Sequence, residues 1–260
     1  MSLWHQTTGE GDQSLLLIHG WGMNSAVWQP ILDALNKSYR VTCVDLPGHG
    51  DSPLMLSQDT LQSWAEAVSQ LADENTIWVG WSLGGLVALQ AALQKMPMKA
   101  MLMLAATPRF AQGDDWDAAM PLQTLDNFSD NLRQNVQLTL TRFLSLQVQG
   151  CDNARDLLKQ LRAGFSAKPV ARDEALLTGL DFLRDEDLRD QMHLLEVPCR
   201  FVLGEKDTLV PARMQQALNQ IDDSIAVHTV SRAGHVPFLS HTDEFLQQLA
   251  LLEQQLEPVT

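Results

Sequence analysis

The chain has 260 residues, 45% of them hydrophobic and 19% charged, the composition of a globular protein rather than a disordered one. Its 32 Asp and Glu against 18 Lys and Arg give a formal charge of −14, which repels phosphate and argues against general binding to nucleic acid or to an anionic membrane. No apolar run approaches the ~18 residues that cross a bilayer, MSLWHQTTGEGDQ has no basic-then-apolar signal, and Cys43, Cys151 and Cys199 are too far apart for a metal-ligand spacing.

Short apolar runs recur in chain order: SLLLI (14–18), YRVTCV (39–44), TIWV (76–79), AMLMLAA (100–106), CRFVLG (199–204) and IAVHTV (225–230). Most lack polar alternation, which suits strands buried on both faces of a parallel sheet. Helix-patterned stretches lie between them at about 27–37, 60–73, 83–95, 211–221 and 242–256. That alternation predicts an α/β sheet covered on both faces. From about 108 to 190 no strand pattern is visible, and pieces such as 131–147 and 153–165 are helix-patterned. The expected organisation is a core of 1–108 and 191–260 with a helical lid insertion at 109–190. Cys43 and Cys199 fall in apolar runs and read as buried thiols, which suits a reducing cytoplasmic home.

One stretch carries chemistry. GWSLGG (80–85) follows the run TIWV and opens the helix-like LGGLVALQAAL. Small residues let the chain turn sharply from strand to helix, and such a corner lifts Ser82 above the sheet edge as a nucleophile. The helix start behind it offers free N–H groups to a developing oxyanion. The plain alternative is a glycine turn with an incidental serine.

A serine hydroxyl needs a base, most often a histidine oriented by a carboxylate. Of seven histidines, His235 in SRAGHVPFL lies between the last strand run and the last helix. His5 and His193 have no strand-end placement, His228 is inside a strand run, and His241 starts the final helix. For the acid, FVLGEKDTLVP places Asp207 just past a strand and before Pro211. Asp181, Asp185 and Asp187 sit in the charged tail of the insertion and suit a solvated helix face. Two oxyanion donors complete the set: the N–H of Leu83, next after the serine, and that of Trp21 in LLLIHGWGMN (15–24). Ordinary core packing is the other reading of Trp21. His19 and His49 read as residues that stabilise their loops.

With HGWG (19–22), DLPGHGDS (45–52), GWSLGG (80–85), GEKD (204–207) and AGH (233–235) in this order, the chain resembles the α/β-hydrolase family. The resemblance implies a mostly parallel eight-stranded sheet, a Ser82–Asp207–His235 triad, and a lid over the pocket. HGWGMNSAVW, VDLPGHGDS, GWSLGGLVA and RFLSLQ (142–147) further resemble bacterial esterases of biotin synthesis. Those remove a methyl group from the far end of a pimeloyl chain held by acyl carrier protein. The resemblance then implies a substrate site at Trp21, Ser82, Leu83, Phe143, Leu144, Ser145, Leu146, Gln147 and His235.

An acidic carrier needs a basic patch to dock on. Residues 133–172 hold seven basic side chains and two acidic ones, a net of +5 inside a protein of −14. Arg155, Lys159 and Arg162 fall on one helix face, and Arg142 precedes Phe143. These four are the expected docking cations, against the plain reading of a solvated helix face. Together the residues imply a serine carboxylesterase, expected to be monomeric and cytoplasmic with no metal, no cofactor and no nucleic-acid or membrane partner, and the resemblance implies that it acts on a pimeloyl methyl ester on acyl carrier protein. A broad esterase on small free esters and a non-catalytic ligand-binding protein of the same fold are the alternatives.

Overall fold

The computed structural model describes residues 2–55 and 59–256. Among them a seven-stranded sheet forms from β1 (His5–Thr8), β2 (Gln13–Ile18), β3 (Tyr39–Val44), β4 (Thr76–Trp81), β5 (Ala100–Leu104), β6 (Cys199–Gly204) and β7 (Ala226–Val230), in the order β1-β3-β2-β4-β5-β6-β7. All neighbours are parallel except β1, which runs antiparallel to β3. The expected eight strands are therefore seven here. The residues before β2 contribute one short strand and a turn. That strand, HQTT, is mostly exposed at the sheet edge. Without an apolar run it gave no signal in the sequence. The other six strands coincide with the six apolar runs.

The central strands show why. Every residue of β4 and β5 is buried, as are the last five of β2. A strand covered on both faces has no use for polar alternation. The covering helices are α1 (Gln29–Leu35), α2 (Leu61–Ser69), α3 (Leu83–Leu93), α8 (Met214–Ile221), α9 (Pro237–Ser240) and α10 (Thr242–Gln254). Helix α3, LGGLVALQAAL, is buried around nearly its whole circumference, packed between the sheet and α2.

Four helices stand between β5 and β6: α4 (Leu122–Gln134), α5 (Val136–Leu146), α6 (Ala154–Ser166) and α7 (Asp173–Asp185). The helix pattern at 131–147 resolves into two helices. Asn135 takes an extended backbone, φ −159° and ψ 94°, ending α4, and its side chain caps α5 by accepting from the N–H of Leu138 at 2.9 Å. Cys43 is buried as expected, whereas Cys199, at the first position of β6, is only half-buried.

Strand order decides where a site can form. From β2 the chain moves one way to β3, then returns past β2 to β4 and onward. The ends of β2 and β4 therefore adjoin, with Ile18 paired to Gly80, and a crevice opens at such a reversal.

Candidate active site

Ser82 occupies that crevice. It follows β4 directly and precedes the first residue of α3, with φ 53° and ψ −117°. An L-residue is strained there. Its N–H donates to the carbonyl of Leu104 at 2.9 Å, which fixes the corner to β5. The glycines permit the tight turn: a Cβ on Gly84 would stand 2.6 Å from the carbonyl oxygen of His19.

Asp207 and His235 arrive from the ends of β6 and β7. His235 Nδ1 lies 2.7 Å from Asp207 Oδ2, and both side chains are almost wholly buried. The other carboxylate oxygen, Oδ1, accepts from the N–H groups of Leu209 at 2.8 Å and Val210 at 3.0 Å, so the carboxylate cannot swing away. The indole N–H of Trp81 donates to the carbonyl of His235 at 2.8 Å. His235 Nε2 is buried with no hydrogen-bond partner among the described residues. Ser82, Asp207 and His235 are thus each buried just beyond the C-terminal end of a strand of the parallel sheet.

The loop after β2 brings Trp21 beside them. The N–H of Trp21 and that of Leu83, at the first position of α3, have no acceptor in the protein among the described residues. The loop is braced from below. His19, wholly buried, places Nδ1 2.8 Å from the carbonyl of Gly20 and takes the N–H of Leu46 on Nε2 at 3.0 Å. Burial lowers the His19 pKa, so a neutral ring can accept that bond. His49 places Nδ1 2.9 Å from the carbonyl of Pro47 and packs against the ring of Trp64. Both histidines stabilise loops, as their sequence context suggests.

The cavity above Ser82 is lined by Trp21, Phe110, Leu125, Phe128, Phe143 and Leu180, with further apolar side chains. Trp21 and Phe143 meet edge to face at 4.8 Å, and Phe128 meets Phe143 at 5.7 Å. The indole N–H of Trp21 donates to the carbonyl of Leu176 in α7 at 2.8 Å, so α7 is tied to the loop after β2. The free space is about 20 Å³, enough for roughly one water. Leu125, Phe128 and Leu180 were not foreseen from sequence. Their only signal is the apolar stripe of helices that pack over the crevice.

The stretch 143–147 divides. Phe143 faces the cavity, and Leu144 and Gln147 are buried. Neither end of the Gln147 amide finds a partner among the described residues. Ser145 and Leu146 correct the expectation: they line an outer groove between α5 and α6, with the Ser145 hydroxyl donating to the carbonyl of Thr141 at 3.2 Å. Phe143 and Gln147, one turn apart, share the buried face, whereas Ser145 lies on the opposite, exposed side and Leu146 is half-buried at the boundary.

That outer groove measures about 780 Å³ and has mostly apolar walls, including Leu146, Val148, Ala154 and Leu158, with Arg142 and Arg155 at its rim. Arg142, Arg155, Lys159 and Arg162 are all exposed and unpaired with any acid among the described residues. Leu138 is 43% exposed on the same helix as Arg142. Lys168, counted in the basic stretch, is spent elsewhere. Its Nζ lies 2.8 Å from Asp45 and 3.1 Å from Asp51, over the ring of Trp4. Among the described residues, no group of three or more His, Cys, Asp or Glu could hold a metal ion, and no helix is long and apolar enough to cross a membrane.

Comparison with known proteins follows the same lines. The chain is 39% identical to a pimeloyl-acyl-carrier-protein methyl ester esterase of Pseudoalteromonas atlantica, covering 94% of this chain and 95% of that one. It is 41% identical to a protein of the same name from Photobacterium profundum, covering 94% and 95%. Among solved structures it resembles an esterase from Exiguobacterium antarcticum, with a TM-score of 0.84 at 22% identity over 96% of this chain and 95% of that one. It also resembles a bromoperoxidase from Bacillus anthracis, with a TM-score of 0.85 at 18% identity over 96% and 94%. At such identities these two speak for the fold alone. The model of the alpha/beta hydrolase family matches residues 15–248, and the chain belongs to that family.

Proposed function

We propose that this protein is a serine carboxylesterase that hydrolyses the methyl ester at the far end of a pimeloyl chain carried by acyl carrier protein, releasing methanol, in biotin biosynthesis. The observation that carries the substrate is the near full-length match to esterases of that name. The chemistry rests on the buried Asp207–His235 pair beside the strained Ser82.

In this reading Ser82 Oγ attacks the ester carbonyl while His235 Nε2 takes its proton. The N–H groups of Trp21 and Leu83 hold the negative oxygen of the tetrahedral intermediate. His235 returns the proton to the departing methanol, then activates the water that cleaves the acyl-enzyme. Asp207 holds the ring in the tautomer with Nδ1 protonated and stabilises its charged form. The apolar cavity suits a methylene chain and offers no cation to retain the carboxylate product.

Residues 109–190 act as a lid. About 20 Å³ cannot admit a pimeloyl chain, so α4, α5 or α7 must move before substrate reaches Ser82. The exposed cations Arg142, Arg155, Lys159 and Arg162 receive the acidic carrier, and the carrier stays outside the lid, which spares its own thioester. The protein works as a cytoplasmic monomer without metal or cofactor.

The test is direct. Pimeloyl methyl ester on acyl carrier protein is incubated with the protein, and the product is followed by intact-mass spectrometry. The carrier-linked species should lose the mass of one CH2 while methanol appears, and Ser82→Ala should abolish both. Cleavage at the thioester, or no change in mass, would refute the reading.

A further inference from the structure

The loop that carries His235 is held from two sides. From the turn after β6, Glu205 Oε2 accepts the N–H of Arg232 at 2.7 Å, and the N–H of Lys206 donates to the carbonyl of Ala233 at 2.7 Å. Arg232 itself sits at φ 63°, a conformation that side-chain-bearing residues avoid, so something must hold it. From the other side comes the turn that joins α5 to α6. The carbonyl of Gln147 accepts the N–H of His235 at 2.9 Å. Cys151 Sγ, buried, accepts the N–H of Gly234 at 3.0 Å. Asp152 pairs with the guanidinium of Arg232. The fit is close: a Cβ on Gly234 would stand 2.8 Å from Cys151 Sγ and 2.9 Å from the carbonyl of Gln147.

We infer that the Gln147–Asp152 turn is a positioning element of the His235 backbone, alongside Asp207 on the ring and Trp81 on the carbonyl, with the Cys151 thiol as its central acceptor. The inference rests on the reading of His235 as general base and goes beyond it. Two consecutive N–H groups, those of Gly234 and His235, end on this turn and on nothing in the core. Removing the sulfur acceptor leaves the N–H of Gly234 buried and unsatisfied, and the backbone must shift to find another. The shift is inherited by the adjacent imidazole. Because catalytic geometry tolerates little displacement, the loss falls on kcat rather than on substrate binding. Cys151 touches neither substrate nor reacting atoms in this account. It acts through His235.

The experiment compares wild type, Cys151→Ala and Cys151→Ser on a free methyl ester, with one-dimensional proton NMR of the downfield His235 Nδ1 proton. Cys151→Ala should lower kcat about fivefold or more with KM within about twofold, and should broaden or shift the Nδ1 resonance. Cys151→Ser, which restores an acceptor, should recover most of the rate and the resonance. Asp152→Asn, a surface change, should move kcat in the same direction by a smaller factor. A Cys151→Ala protein with unchanged kcat and an unchanged Nδ1 resonance would overturn the inference. So would a Cys151→Ser protein as impaired as Cys151→Ala. If the wild type hydrolyses no ester, the functional reading falls, and the NMR comparison still decides this one.

Discussion

His235 Nδ1 and Asp207 Oδ2 lie 2.7 Å apart, 28 residues distant in sequence, with both side chains closed off from solvent. Asp207 is further pinned by two backbone N–H groups, so its orientation is fixed before any substrate arrives. In the proposed mechanism that pairing makes a buried histidine the base, with Nε2 left without a partner among the described residues.

Asp207→Asn keeps the size of the side chain but permits the wrong imidazole tautomer. On carrier-linked or free methyl ester, kcat should fall by about 10³–10⁴ with little change in KM. Far-UV circular dichroism and the melting temperature, measured alongside, should stay near wild type. A loss of less than tenfold would remove Asp207 from the role assigned to it.

Lys168 ties the segment between α6 and α7 to the core. Its Nζ meets Asp45 at 2.8 Å, and the Asp45 carboxylate is fully enclosed. Taking away one partner strands a buried charge, so Lys168→Met should lower unfolding stability in urea by about 3 kcal/mol. Asp45→Asn introduced with it should recover part of that loss, because the stranded charge is gone. Equal stability of Lys168→Met and wild type would mean the pair is solvated in solution.

His49 is buried, and its pKa is pushed down to about 3, first by desolvation and then by the neighbouring His19. Its ordinary value is ~6.5. Between those values the unfolded chain binds a proton that the folded chain refuses, so stability rises with pH. The contribution is whole above pH ~6.5 and is lost progressively as pH falls toward 3. Urea midpoints for the wild type should therefore drop from pH 7 to pH 5. His49→Gln should show a shallower drop over the same range, whatever its stability at pH 7. Parallel curves would show that His49 titrates normally in the fold.

Much of this was legible in the sequence, and the reasons are local. Six strands announced themselves because both faces of a buried parallel strand must be apolar. Ser82, Asp207 and His235 could be found because each follows a strand end, and strand ends on one edge converge. The edge strand His5–Thr8 was invisible because its side chains face solvent. The cavity wall was legible only as an apolar stripe, since which helix faces the crevice is a property of packing. Ser145 and Leu146 were drawn into the site by adjacency to Phe143, whereas Ser145 lies on the far side of α5 and Leu146 at the boundary that borders the outer groove. Lys168 looked like one cation among seven. Its partner Asp45 is 123 residues away, a distance at which no local pattern operates. The contact between Cys151 and Gly234, 83 residues apart, is of the same kind.

In the proposed reading the basic face of α5 and α6 delivers a carrier-held ester to Ser82. The decisive measurement is kcat/KM at low salt for pimeloyl methyl ester on acyl carrier protein and for free dimethyl pimelate. It is made with wild type and with Arg142, Arg155 and Lys159 all changed to Glu. The expected result is a loss of about 10²-fold or more on the carrier-linked ester, shrinking as salt is added, with the free ester within about threefold of wild type. Carrier-linked turnover that survives the three reversals at low salt would contradict it.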